Sequence, residues 1–242
     1  MGVRELTVTY DGHHLNDLFV VEDVVREATG EFAPDTATVA GRNGRMWRGT
    51  RRDSISITLV LVAVGDNYDE VLAKIRTLAS WLDVEEPARL AIGDEGGLWR
   101  MAAPTGQTQL ERIGVHAARM SVAMTCVDAC MHGPGGSVTS SSGTATLYID
   151  GTLPTPVRIS AASAKNNYTI TDQTIGKHVT VAVGSTAKAL VIDSASRSAT
   201  VAGVLKLPTL DSDWLVLAPG THTLARTSGT GEFTATYESR WA

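Results

Sequence analysis

The second half of the chain is a series of short segments in which apolar and polar residues alternate. Examples are "ATLYIDG", "HVTVAVG" and "ALVIDS", and each segment ends at Gly, Asp, Ser or Pro. Short strands separated by turn residues at regular intervals are typical of antiparallel sandwiches. No stretch after Thr144 has helical spacing. The sequence therefore predicts an antiparallel β-sandwich over residues 134–242.

Residues 1–133 predict a second β-rich domain that carries one α-helix. "ELTVTYDG" alternates and ends in an Asp-Gly turn signal, and Asn43-Gly44 is a strong hairpin signal between two strand-like runs. In "DNYDEVLAKIRTLASWL", Asp66 can cap a helix over about 66–82. Its buried stripe has the i, i+3, i+4 spacing at Val71, Leu72, Ile75, Leu78, Ala79 and Leu82. The fold class is mainly β with two domains.

Three further segments give specific expectations. The run "ISITLVLVAV" predicts a strand that begins half-exposed and ends buried on both sides, because its outer face changes from polar to apolar. "QLERIGVHAARMSVAMTCVDA" predicts one long strand. "CMHGPGGSVTSSSG" is rich in Gly, Pro and Ser, which indicates a linker or interdomain loop.

Adjacent carboxylates at Asp94 and Glu95 lie in "RLAIGDEGGLWRMA" between two strand-like runs. They could form an acid/base pair or a cation site, or they could belong to a tight turn whose glycines supply positive φ. No His or further acid is close in sequence, so a turn is favoured. Both carboxylates are then expected to point into solvent at a hairpin tip.

Several functional classes lack support in the sequence. Because the net charge is −5, no sequence-independent binding to nucleic acid is expected. The longest apolar run is too short for membrane insertion, and Arg4 and Glu5 interrupt the start where an export signal would be apolar. Cys126, Cys130 and His132 offer three zinc ligands where a structural site takes four. No nucleotide-binding or hydrolase motif is present. We expect no catalytic residue, cofactor or metal.

A set of segments in the right order resembles the distal tail protein family of siphovirus-type bacteriophages. These segments are "GRNGRMWRG", "RRDSISITLVLVA", "LASWL", "LAIGDEGGLWRM", "CVDA", "GTLPTPVRIS" and "DWLVLAPGTHTL", and together they cover most of the chain. Ala129 departs from the family, in which a proline is expected after Asp128. The resemblance implies an N-terminal belt domain over 1–133 and a galectin- or carbohydrate-binding-module-type sandwich over 134–242. The final strand could return to the first domain.

The resemblance also implies a structural virion role without enzymatic activity. Members form a ring, usually a hexamer, at the distal end of the tail tube, at the tail tip or baseplate, and are assembled in the host bacterial cytoplasm. The implied partners are other copies of the chain, the tail-tube protein, the tail-associated hub protein, the tape measure protein and receptor-binding or other baseplate proteins. DNA passes through the ring without specific binding, and an acidic chain suits such a passage because basic walls would retain phosphates.

Carbohydrate binding on the host surface is the alternative function. Sandwich lectins stack a sugar on an exposed aromatic ring beside polar groups. Tyr168, which follows Asn166 and Asn167 at the head of a predicted strand, is the candidate contact, and Tyr148, Trp214, His222 and Tyr237 are the other aromatic candidates, with Trp214 favoured as a core residue. A glycoside hydrolase would need two carboxylates facing across a cleft, and the sequence marks no such pair.

Overall fold

The protein is mainly β and divides into two compact units, as given by a computed structural model that describes residues 6–41 and 43–242. The N-terminal unit extends to Met131 and includes Ala242, and the C-terminal unit covers His132–Trp241. In the N-terminal unit the strands are β1 (Val8–Tyr10), β2 (His13–His14), β3 (Phe19–Arg26), β4 (Phe32–Thr38), β5 (Arg45–Arg52), β6 (Ile55–Val64), β7 (Ala88–Ile92), β8 (Trp99–Pro104), β9 (Gln109–Arg112) and β10 (Ala117–Cys126).

Strand β6 is the centre of the N-terminal sheet, where it pairs with β3 on one side and β10 on the other. Its inward residues, Ile55 to Ala63 at every second position, are buried. The prediction that its outer face becomes buried is wrong for the end of the strand, because Val64 is 49% exposed. The flanking strands satisfy the backbone of β6 while leaving that face without a covering layer.

The single α-helix, α1 (Tyr68–Leu82), confirms the predicted segment and packs Val71 and Leu78 into the core. The predicted cap is wrong by one residue. Asn67 is the N-cap, since its side chain accepts a hydrogen bond from the Glu70 N–H at 2.9 Å. The Glu70 carboxylate in turn accepts from the Asp66 N–H at 2.9 Å, so Asp66 is a donor through its backbone. Two short 3-10 helices cover Leu15–Asp17 and Gly93–Glu95.

The long strand predicted across "QLERIGVHAARMSVAMTCVDA" is a hairpin instead. Strands β9 and β10 pair antiparallel, with Ala118 opposite Arg112, and the turn is closed by the Ile113 and Gly114 N–H groups donating to the Ala117 carbonyl. Gly114 lies in this reversal. A glycine between two alternating runs was therefore a turn signal that the continuous apolar pattern concealed.

The C-terminal unit is an antiparallel sandwich whose two sheets share a pair of long strands. Its strands are β11 (Met131–Thr139), β12 (Thr144–Ile149), β13 (Thr155–Asp172), β14 (His178–Asp193), β15 (Ser198–Val201), β16 (Val204–Leu205), β17 (Val216–Leu217), β18 (Gly220–Thr230) and β19 (Thr234–Trp241). The first part of β13 pairs with β19 and the second part with β18, while β14 accompanies β13 along both parts. Register shifts between Ala161 and Asn167 bend the pair from one sheet into the other.

The predicted linker contains strand β11, and its glycines have a packing role. A Cβ at Gly133 would overlap the Trp241 ring, and one at Gly136 would overlap the Tyr237 ring. Aromatic side chains of β19 therefore cover the bare backbone of β11. Glycines that suggested flexibility in the sequence are instead needed for close contact between two strands.

The remaining predictions concern the boundary and the termini. The final strand β19 pairs with β13 through Val157–Ser160 positions of the C-terminal unit. The assignment of a belt to 1–133 and a sandwich domain to 134–242 stays a prediction. Arg4 and Glu5, on which the absence of an export signal was argued, lie outside the described residues, as does Arg42 in the "GRNGRMWRG" segment. Among the described residues, no helix is long and apolar enough to cross a membrane.

Candidate interaction surfaces

Strands β4 and β5 form a two-stranded arm that leaves the N-terminal sheet. Strand β3 pairs with β6 up to Arg26 and Ile57, and the hairpin resumes beyond this with Phe32 opposite Arg52. The arm (residues 32–52) forms a separate two-stranded sheet and contributes no residue to the buried core of its unit. Because two-stranded hairpins are marginally stable by themselves in water, an arm without a core points to a surface that another molecule covers.

The two faces of the arm differ in composition. One face, here called the aromatic-basic face, carries Phe32, Pro34, Thr36, Thr38, Arg45, Trp47, Thr50 and Arg52 as cross-strand neighbours. Trp47 is 63% exposed and Phe32 is 50% exposed. The Arg52 guanidinium lies 5.2 Å from the centroid of the Phe32 ring. The other face carries Asp35, Arg51, the exposed Met46 and small residues, and a bulge at Arg48 separates the registers.

The arm begins at a close crossing of its two strands. The Asp53 N–H donates to the Glu31 carbonyl at 2.9 Å, and a Cβ at Gly30 would overlap the Asp53 carbonyl oxygen. Gly30 is buried at this point. Only glycine allows this approach, so the crossing fixes where the arm departs from the sheet.

The acids of the "GDEGG" turn are part of an ion-pair network rather than a cation site. The predicted turn is correct, since β7 and β8 pair and Gly96 and Gly97 have φ of 66° and 87°. The expectation that both carboxylates point into solvent is wrong for Glu95, whose side chain is 9% exposed. Glu95 accepts two hydrogen bonds from Arg100 Nη1, at 2.5 and 2.6 Å.

Asp94 belongs to the same network at its exposed side. Its side chain is 46% exposed and accepts from both terminal nitrogens of Arg26, at 2.9 and 2.5 Å. The hydrogen bonds from Arg26 hold the pKa of Asp94 below its usual value. Two arginines thus neutralise the two acids, which gives the turn a structural role.

The predicted carbohydrate contacts do not form an exposed aromatic site. Tyr168 is completely buried in the sandwich core, and its hydroxyl donates to the Gly231 carbonyl at 2.8 Å. Burial raises the pKa of Tyr168 to about 12. Asn166 and Asn167 are exposed, but they lie at the bulge in β13 rather than at a strand start, and Asn166 has a φ of 64°. The expectation of an exposed Tyr168 ring is therefore wrong.

The other aromatic candidates for sugar contact differ in their exposure to solvent. Tyr148 is 65% exposed on β12, and its carbonyl accepts from the Tyr237 hydroxyl at 2.8 Å. Trp214 packs against the core, as favoured. His222 is buried and paired with Asp172. Tyr148 is therefore the aromatic ring in this set that a sugar could reach most easily.

Two further surfaces lie on the C-terminal unit. An open groove of about 450 Å³ is lined by charged residues of both signs, among them Arg158, Asp193, Glu238 and Arg240. Apolar side chains are exposed along the segment after β15, where Leu207 and Leu210 stand out from the surface. Tyr237 and Pro156 also line the groove, and Lys206 and Asp211 adjoin the two exposed leucines in sequence.

The cysteines offer no reactive site. Cys126 is fully buried in the N-terminal core, and desolvation raises the pKa of its thiol to about 11. The thiol rather than the thiolate is thus the stable form at neutral pH, which disfavours both metal ligation and nucleophilic attack. Within residues 6–41 and 43–242, no group of three or more His, Cys, Asp or Glu side chains is arranged to hold a metal ion.

Sequence reasoning identified the arm as a hairpin but missed that it is exposed on both faces. The available signal was its composition, since residues 32–52 carry five arginines, one acid and a proline inside a strand. Such a segment lacks the apolar alternation of a half-buried strand. Strong basic and aromatic content without alternation indicates a surface for a partner.

Two family models match the chain in sequence. The Phage tail protein RIFT-related domain matches residues 13–126, and the Siphovirus-type tail component, C-terminal domain, matches residues 150–241. No curated protein sequence matches the chain significantly.

The fold is also similar to that of solved phage proteins. The crystal structure of SPP1 Dit (gp 19.1), described as a paradigm of the hub adsorption apparatus in phages that infect Gram-positive bacteria, has a TM-score of 0.78 at 17% identity over 98% of this chain and 99% of that chain. A chain of the phage p2 baseplate, activated with Sr, has a TM-score of 0.55 at 9% identity over 97% and 98%. At sequence identities of 17% and 9%, the similarity to these structures shows a shared fold.

Proposed function

The chain belongs to the siphovirus-type distal tail protein family, and we propose that its copies form a ring that joins the tail tube to the baseplate hub and encloses the DNA passage. The coarser role follows from the family itself, whose members are structural tail and baseplate components rather than enzymes. The observation that carries the proposal is that the two family domains occur in order along a chain whose fold matches SPP1 Dit over nearly the full length of both.

The exposed arm supports self-association. Its aromatic-basic face exposes Trp47 and Phe32 beside Arg45 and Arg52, and exposed aromatic and arginine side chains are enriched at protein interfaces. A ring built from head-to-tail contacts covers the same surface on every copy. Six copies are proposed, by analogy with the family.

The charge of the chain supports passage of DNA without retention. The net charge is −5, and a wall without excess positive charge releases phosphates readily. We expect that replacing acids that face the lumen with lysine slows DNA ejection. Unchanged ejection kinetics in such variants would contradict this part of the proposal.

The partners proposed are those of a tail-tip adaptor. The tail-tube protein would attach on one side of the ring and the hub protein on the other, with the tape measure protein inside the tail and receptor-binding or other baseplate proteins on the C-terminal units. The protein would be located in the virion at the tail tip after assembly in the host cytoplasm.

Negative-stain electron microscopy of the purified protein tests the ring directly. We expect annular particles with a central hole, and sedimentation that shifts to the ring species as the protein concentration rises. A strictly monomeric protein at high concentration would overturn the ring. Addition of the tail-tube protein provides a second measurement, since a ring of the correct diameter binds the end of assembled tubes.

Carbohydrate contact by the C-terminal unit remains the second candidate, and Tyr148 is the residue that favours it. Its exposed ring lies on β12, beside Thr221 of β18 in the strand register. Binding of the protein to cell-wall glycans that is lost in Tyr148→Ala, and kept in Asn167→Ala, would support it. Equal binding by both variants and wild type would show that this ring is not the contact.

A further inference from the structure

The charge distribution of the N-terminal unit is divided between the arm and the rest of the chain. Residues 32–52 have a net charge of +4, whereas the whole chain has −5, so the remainder carries −9. Among the described residues of the chain, no carboxylate forms an ion pair with Arg45, Arg48, Arg51 or Arg52 of the arm. Arg48 and Arg51 have no carboxylate partner among the described residues, and Arg45 and Arg52 contact only Thr36 and Phe32.

The complementary charge is concentrated after helix α1. Asp83, Glu85 and Glu86 are exposed within four residues and form no ion pair in the part of the chain that the structure describes. The last turn of α1 contains no basic residue. Because the C-terminal end of a helix also has a partial negative charge, these acids form a negatively charged surface that favours a basic partner.

We propose that the arm docks on a second copy of this chain, with its aromatic-basic face against the acidic turn at residues 83–86 of that copy. This deepens the proposed ring and rests on it for the arrangement of copies. Arm and acidic turn are different surfaces of one chain, so the contact is head-to-tail and repeats from copy to copy. The β4 strand of seven residues gives the arm a reach of about 23 Å.

The contact combines two kinds of interaction. Trp47 and Phe32 provide apolar area, and aromatic residues at the centre of an interface carry most of its binding energy. Arg45 and Arg52 flank them and meet the acids of the neighbour, so an acid in place of either arginine would be repelled by that surface. Association through this contact weakens as salt concentration rises.

Engineered disulfides test the geometry. In a Cys130→Ser background, the pair Thr50→Cys and Glu85→Cys joins the aromatic-basic face to the acidic turn. The pair Asp35→Cys and Glu85→Cys is the matched control on the opposite face of the arm. On mild oxidation of the full chain, we expect interchain bonds to form at least tenfold faster in the first pair, measured on non-reducing gels. Equal rates would overturn the proposal.

Charge reversal tests the chemistry. Arg45→Glu should weaken association at least tenfold in sedimentation, whereas Arg51→Glu, the same change on the other face, should leave it within twofold. Combining Arg45→Glu with Glu85→Arg in one chain should restore association. Association that persists in Arg45→Glu overturns the proposal, and if that variant also loses binding to duplex DNA, the occupant of the arm is nucleic acid.

The outcomes separate this inference from the ring itself. Rings that persist without the Thr50–Glu85 cross-link leave the proposed function intact and remove the arm contact. Cross-linked open chains without closed rings keep the arm contact and remove the ring. The substituted arm residues are exposed, and an unchanged far-ultraviolet circular dichroism spectrum shows that the fold is retained.

Discussion

The imidazole of His222 lies between two hydrogen-bond acceptors inside the C-terminal unit. Its Nδ1 is 2.7 Å from Asp172 Oδ2, and its Nε2 is 2.9 Å from the Ala218 carbonyl oxygen. Both neighbours are acceptors, so each lies in position to receive a hydrogen bond from a ring N–H of His222. Asp172 is fully buried and also accepts from the Thr174 N–H. The pair joins the end of β13 to β18.

Removing one partner of the His222–Asp172 pair should lower the stability of the fold. His222→Gln leaves the Asp172 carboxylate buried without its imidazole partner, and we expect the free energy of unfolding to fall by about 3–5 kcal/mol. His178→Gln is the matched control. Its Nε2 lies 3.4 Å from Asp211 Oδ2, and the Asp211 side chain is 73% exposed. That variant should unfold with the wild-type midpoint in urea. Similar losses in the two variants would contradict the argument.

The two arginines of the "GDEGG" turn should differ in their contribution to stability. Arg100→Gln removes the main partner of the nearly buried Glu95, and we expect a loss of about 3 kcal/mol in the free energy of unfolding. Arg26→Gln removes the partner of the half-exposed Asp94, and solvent screening limits that loss to below about 1 kcal/mol. Chemical denaturation of both variants measures which one loses more unfolding free energy. A larger loss in Arg26→Gln than in Arg100→Gln would refute the prediction.

The Arg26–Asp94 pair should also be sensitive to acid. Arg26 holds the pKa of Asp94 below its ordinary value of 3.8, so the folded state favours the charged carboxylate. The stabilisation is therefore present above pH 3.8 and is lost as the pH falls through the lowered pKa. The difference in stability between wild type and Arg26→Gln should shrink on acidification, and a constant difference would argue against the pair.

The glycines of β11 should resist substitution although their sequence suggests a linker. Gly133→Ala and Gly136→Ala place a methyl group against the rings of Trp241 and Tyr237, and overpacking of this kind costs about 1–3 kcal/mol. Gly114→Ala is the control, since a Cβ there meets nothing within 4 Å. Thermal unfolding should show lower midpoints for the first two variants only, and a tolerant β11 would restore the linker interpretation.

The thiol of Cys126 should be inert in the folded protein. Because burial raises its pKa to about 11, almost no thiolate is present at pH 8. We expect a colourimetric thiol reagent to modify Cys126 of the Cys130→Ser variant only after denaturation. Above pH 9 the unfolded state loses its thiol proton before the folded state does, so this residue's contribution to stability declines as the pH rises towards 11. Rapid modification of the native variant would contradict its burial.

Local signals predicted most of the fold because they depend on neighbouring residues. The alternation in the second half gave the strands, the apolar spacing gave α1, and Asp11-Gly12 gave the first turn, where φ is 48° and 79°. The strand pair β13 and β14 was predicted as four separate strands. Its continuity depends on bulges near Asn166, which follow from the packing of two sheets and leave no local signal.

The candidate site residues were harder to predict because exposure is a property of the tertiary structure. Tyr168 follows two polar residues and was expected at the surface, but the bulge turns its ring into the core. Glu95 was expected in solvent, but Arg100, five residues away on the next strand, reaches back to it. Arg100 lies across the turn from Glu95, and Gly231, which accepts from the Tyr168 hydroxyl, is distant in sequence, so periodicity reveals neither contact.

The crossing at Gly30 and Asp53 separates the arm from the sheet at a single point in the chain. On one side of that crossing, β3 pairs with β6 in the sheet. On the other side, β4 and β5 pair only with each other. Residues 32–52 are therefore an exchangeable module: grafting the corresponding hairpin of a different tail protein would change which subunits recognise one another without disturbing the scaffold.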